Sequence, residues 1–202
     1  MKNKSGETMS ETPKAIVENA KTAYRRMNRQ IRAGNLPEAL KLFNAMPKEL
    51  DSATEMAFDR SIAAVHLIFG YLKADNLAQA RQLFEAMAEL GDAQEVALLR
   101  AEVAYNLMVA YIHEGSLAKA RELLEAMALL GNAPDAVSLR DEAAHNLIIA
   151  YLYAGNFLEA QQLFGSMPVP DAKRKPKERW GEYSRSFISV IQKNQLFKTH
   201  GR

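Results

Sequence analysis

Cysteine is absent from the 202 residues, which excludes disulfides and thiolate metal ligands. No run of about 18 apolar residues occurs, so no membrane-spanning helix is predicted. The opening MKNKSGETMSET lacks the apolar core of a secretion signal, and a cytoplasmic location is expected. Histidine is scarce as well. His66, His113, His145 and His200 show no metal-ligand spacing, and His113 with Glu114 lacks the second histidine of a zinc-protease helix. There is no phosphate-binding glycine loop and no nucleophile elbow, while carboxylate pairs such as Asp141 and Glu142 read as solvated charges. The sequence therefore predicts a non-enzyme with no cofactor and no metal. Proline is also rare, and none of the seven interrupts a predicted helix beyond its first turn.

What the chain does contain is one pattern written four times. Residues 104–127, AYNLMVAYIHEGSLAKARELLEAM, align with 64–87 and 144–167 at a period of 40, and with a weaker copy, 23–46, at an offset of 41. Self-similarity at this period marks helical hairpins that complete each other's cores. Each copy turns at Gly34, Asp75, Gly115 or Gly155, followed by a candidate helix cap at Asn35, Asn76, Ser116 or Asn156. Aspartate tolerates the left-handed conformation better than most residues, so Asp75 is expected to keep the turn under strain. After the turn, Ala39, Ala80, Ala120 and Ala160 alternate with larger residues such as Phe43, Phe84, Leu124 and Phe164, which makes one buried face. Met46, Met87, Met127 and Met167 close that stripe and read as core filling in preference to a soft metal site.

The predicted helices are 13–33, 36–46, 53–74, 77–90, 93–114, 117–130, 134–154, 157–167 and 177–195, with no strand. Ser52 with Glu55 and Asp92 with Glu95 have the spacing of capping boxes. The expected organisation is a disordered arm over 1–11, a repeat array over 12–167, a linker over 168–176, a capping helix over 177–196 and a flexible tail over 197–202.

Asn106, Leu107, Ala110, Tyr111, Gly115, Leu117, Ala120 and Leu124, with their equivalents over 23–167, resemble a tetratricopeptide repeat. The Leu-Phe-x-x-Met endings at 42–46 and 83–87 are also similar to the pentatricopeptide repeat. The first resemblance implies an all-α, right-handed superhelical array of four antiparallel hairpins with a C-terminal capping helix. Such arrays bind peptides or protein segments, and pentatricopeptide arrays bind single-stranded RNA. The departures are a period of 40 in place of 34 or 35, and large residues at Ile68, Met108 and Ile148 where tetratricopeptide units carry glycine or alanine.

By the tetratricopeptide resemblance, the inner wall is Val65, Phe69 and Leu72, then Tyr105, Val109 and Ile112, then His145, Ile149 and Leu152. Such an apolar wall suits a partner helix, a second copy of the chain or the chain's own last helix; the competing reading is plain core between units. Charge bears on the choice. Residues 1–32 carry eight Lys/Arg against three Asp/Glu and residues 173–202 nine against two, but residues 33–172 carry nine against nineteen. A net −10 body opposes phosphate binding, and Val65, Tyr105 and His145 make no polar base-reading code. The sequence thus predicts a protein-interaction scaffold or chaperone-like adaptor, with a basic amphipathic helix as a fitting partner. A single-stranded nucleic-acid binder is the alternative. The basic run Lys173, Arg174, Lys175, Lys177 and Arg179 reads as a solvated linker, with an anionic partner as the other reading.

Overall fold

The computed structural model describes residues 13–46, 53–90 and 93–167, and among them every regular element is helical. In chain order these are α1 (Pro13–Arg32), α2 (Leu36–Asn44), α3 (Ala53–Lys73), α4 (Leu77–Ala86), α5 (Gln94–Glu114), α6 (Leu117–Ala128), α7 (Pro134–Tyr153) and α8 (Phe157–Ser166). The ends lie within two residues of those expected, except that α4 tightens into a 3₁₀ turn over Met87–Leu90. The predicted arm, linker, capping helix and tail lie outside the described residues, as do Ser52 and Asp92 of the proposed capping boxes. No helix among the described residues is long and apolar enough to cross a membrane.

One backbone device ends each first helix. The amides of Asn35, Asn76, Ser116 and Asn156 donate to the carbonyls of Gln30, Tyr71, Tyr111 and Tyr151 at 2.8–2.9 Å. The residue before each closes a tighter ring, as Gly34 does to Ile31 at 3.0 Å. This pair of bonds is a Schellman turn, and it requires a left-handed residue between helix and closing amide. Gly34, Gly115 and Gly155 have φ of +75°, +81° and +78°, and Asp75 takes the same role at +56°.

The expected side-chain caps form only once. Asn76 Oδ1 accepts from the amide of Gln79 at 3.1 Å, whereas Asn35, Ser116 and Asn156 make no such bond, and the Ser116 hydroxyl donates to Glu114 instead. All four residues close the preceding turn with ψ of 61–72°, short of the extended backbone that normally aims a capping side chain at the first helical amides, and only Asn76 makes the bond from there.

The chain forms two compact units, Met1–Val103 and Ala104–Arg202. In the first, α1 packs on α2 and α3, and α3 packs on α2 and α4. Tyr71 on α3 donates its hydroxyl to the carbonyl of Leu36 at 3.4 Å. Arg60, buried on the same helix, donates to the carbonyl of Met46 at 2.6 Å and lies 4.6 Å from the ring centre of Phe43. Burial lowers the Arg60 pKa, since desolvation opposes its charge. In the second unit α7 packs on α6 and α8.

The four alanines behave as their spacing demands. Ala39, Ala80, Ala120 and Ala160 are all 0% exposed, and Met46, Met87 and Met127 are buried with them; Met167 is half-buried. Ile68, Met108 and Ile148 are buried too, so these large residues are core. Close approach moves two residues along, to Gly70, where an added Cβ would sit 2.9 Å from Leu36 Cδ2 and 3.2 Å from Ile31 Cγ2.

Two substitutions test this account. Ala120→Leu overpacks a site with no free surface and is expected to cost about 1 to 3 kcal/mol, read as a lowered Tm. Asp75→Gly removes the left-handed penalty, about 1 to 2 kcal/mol, at some cost in chain entropy, and is expected to stabilise by about 0.5 to 1 kcal/mol in urea unfolding.

Candidate functional site

The nine wall positions do not form one surface of uniform character. Val65 is only 6% exposed and belongs to the core of the first unit, which corrects its placement on an open wall. Phe69 and Ile149 are exposed, each at 37%, and Leu72, Tyr105, Val109, Ile112, His145 and Leu152 are half-buried. Val65 lies in a stretch of α3 where Ala63, Ala64, Leu67 and Ile68 are also closed to solvent, and burial of its isopropyl group is favourable. Phe69, one turn further on, clears that crowd.

In the first unit the exposed side of α1 and α3 encloses a groove of about 570 Å3. Asn28, Ile31, Arg32 and Gly34 line it from α1 and its turn, and His66, Phe69, Gly70, Lys73 and Ala74 from α3 and its turn. Among the described residues that line it, none is a carboxylate, and Arg32 and Lys73 are cations. They occupy equivalent positions 41 residues apart, at the last turn of successive first helices, where a cation also complements the helix dipole. The absence of a side chain at Gly70 lets Leu36 and Ile31 close on α3, and all three line the groove. Beyond the groove, α1 presents Lys21, Arg25, Arg26 and Arg29 to solvent.

A ring pair bridges the two helices. Tyr24 and His66 stack with centroids 5.8 Å apart and planes inclined by 23°. The Tyr24 hydroxyl and Asn28 Oδ1 both meet His66 Nδ1, at 3.0 and 3.2 Å. An amide oxygen only accepts, so an Nδ1–H shared between the two oxygens suits the arrangement and leaves Nε2 as an acceptor in the neutral ring.

The second unit repeats the bridge with different chemistry. Tyr105 is equivalent to Tyr24 and Asn146 to His66, and here Asn146 Nδ2 donates to the Tyr105 oxygen at 3.1 Å while that hydroxyl donates to Glu142 at 2.9 Å. Burial raises the Tyr105 pKa, and the neighbouring Glu142 carboxylate raises it further. Val109 stands where the first unit has Asn28, and His113 and Tyr153 where it has Arg32 and Lys73, while Ile112, Ile149 and Leu152 match its Ile31, Phe69 and Leu72. Residues 104–167 carry three Lys/Arg against seven Asp/Glu. The two first-helix faces therefore differ in charge.

Asn28, Arg32, His66 and Lys73 were not among the residues marked by sequence. The signal was present in the alignment of copies: Arg32 and Lys73 fall in one column, with His113 and Tyr153 completing it. Searching for apolar wall positions passes over such a column. Among the described residues no group of three or more His, Asp or Glu could hold a metal ion.

The family model for the PPR repeat matches residues 27–49, 65–92 and 145–169. The first two matches are the copies that flank the basic groove. No curated protein and no solved structure matches the chain. The repeated turns, the all-helical elements and these matches together make the chain a helical repeat protein.

Proposed function

We propose that the four copies stack as a right-handed array of antiparallel hairpins and that the chain is a binding protein for single-stranded nucleic acid, engaged through the α1–α3 groove. The observation that carries this reading is the groove itself, with Arg32 and Lys73 unopposed by any carboxylate among the described lining residues and Phe69 exposed in the same groove. Cations along a groove neutralise a phosphate backbone, and an exposed ring offers a surface for an unpaired base. His66 and Asn28 add hydrogen-bonding edges beside that ring. The PPR repeat matches over 27–49 and 65–92 support the same ligand, since arrays of that kind bind single-stranded RNA.

The net −10 of residues 33–172 does not oppose this reading as it opposes one spread over the whole chain. Exposed charges more than about 10 Å apart are largely screened at physiological salt, so the local cations of α1 and α3 govern binding at the groove. A second reading, a scaffold for a protein partner, is favoured by the apolar and acidic first-helix face of the second unit. No catalysis is assigned to either face.

Fluorescence anisotropy with mixed-sequence single-stranded RNA tests the first reading. Binding in the micromolar range is expected at low salt, weakening as salt rises. Arg32→Gln with Lys73→Gln should weaken it several-fold and flatten the slope of log K against log salt by about 1.4, since each phosphate left unneutralised takes about 0.7 from that slope. No binding at low salt, or binding that ignores both substitutions, would leave the protein-scaffold reading in its place.

A further inference from the structure

The last hairpin differs from the other three at positions that its predecessors keep polar or small. Tyr153 stands where the earlier copies have Arg32, Lys73 and His113, and Leu158 where they have Pro37, Ala78 and Ala118. Both flank the α7–α8 turn, and both are open, Tyr153 at 89% and Leu158 at 63% exposure. Ile149, one turn before Tyr153 on α7, is 37% exposed and adds apolar surface beside them, in a column that already holds Phe69 and Val109. Apolar groups left in water at the turn of this one hairpin ask for a cover that the other three do not have.

Three features single out an occupant. Thirty-five residues follow Met167, and within them Trp180, Tyr183, Phe187, Ile188 and Ile191 recur at helical spacing. The predicted helix 177–196 would be about 30 Å long at 1.5 Å per residue, the length of α7. Second, α8 runs away from the turn, so the chain leaves at the far end, and a helix joined there by nine residues can run back along the hairpin toward Tyr153 and Leu158. Third, residues 173–202 carry nine Lys/Arg against two Asp/Glu, while residues 104–167 carry three against seven. Opposite net charges steer the two together and disfavour docking of the tail on the basic α1.

We propose that residues 177–196 of this chain dock along the α7–α8 hairpin, in the manner of a fifth first helix, and cover Ile149, Tyr153 and Leu158. The docking is independent of the nucleic-acid reading. It places the apolar side of the segment on the last hairpin and leaves the basic run of residues 173–179 at the start of the docked helix.

The absence of native cysteine makes the test clean. In the full chain, Leu158→Cys is paired in turn with Phe187→Cys, Ile188→Cys and Ile191→Cys, and disulfide formation under mild oxidation is followed on non-reducing gels. A bridge needs Cα atoms about 4.4 to 6.8 Å apart, so only a docked register closes it quickly. At least one pair is expected to form an intramolecular bridge several-fold faster than the same tail cysteine paired with Leu129→Cys. Leu129 is 86% exposed at the end of α6, away from the proposed docking surface. Rates equal to the Leu129 control would overturn the docking, and bridges found only in covalent dimers would transfer the interaction to a second copy of the chain and overturn the assignment to its own tail. Both substituted positions on the hairpin side are exposed, so helicity should be retained; with Tyr153→Cys in place of Leu158→Cys the same comparison serves as a repeat.

Discussion

The amide that donates back five residues, from Asn35, Asn76, Ser116 and Asn156, sets where each first helix stops and how the second one leaves it. That bond exists only with a left-handed residue before it, which glycine supplies without strain and Asp75 supplies with it. Once the turn is set, the alanine four residues after the closing amide falls against the preceding helix with no surface left, and Phe or Leu four positions later fills the space beyond. The side-chain caps are secondary. Three of four make no capping bond, and the hairpins form none the less.

Because the turn holds the hairpins alike, the chain can vary what their outer faces carry. Tyr24 with His66 and Tyr105 with Asn146 are the same bridge, built from equivalent positions, with an imidazole partner in one unit and an amide and a carboxylate in the other. The column Arg32, Lys73, His113, Tyr153 passes from cation to aromatic along the chain. Cations gather on the first helix and groove of the first unit, and acidic residues outnumber basic ones over residues 104–167. Net charge over the whole chain, +2, hides this segregation entirely.

The fold was legible because a repeat states its rules several times. Helix ends other than that of α4 came within two residues, and the buried alanines and the strained Asp75 followed from comparing copies. The candidate site was less legible. Of the residues expected on the wall, Phe69 and Ile149 are exposed and Val65 is core, and the polar groups of the groove were missed. Wall positions were inferred from apolar spacing, which does not distinguish a buried side chain such as Val65 from one a turn away, Phe69, that faces water.

Sequence alone determined the all-helical repeat, its turns, its alanine face and its segregated charge, because each of these depends on residues within one copy or on counting. Tertiary structure decided which side chains from neighbouring copies meet. Tyr24 and His66 are 42 residues apart, and Tyr105 and Glu142 are 37 apart, neither of them the repeat period. Those offsets follow from how far one first helix is shifted and rotated against the next, and that is set by the summed packing of buried faces, with Gly70 admitting Leu36 and Ile31 where a larger residue would hold them off. No single stretch of chain encodes it, so only the folded arrangement could bring Arg32, His66 and Lys73 to one groove.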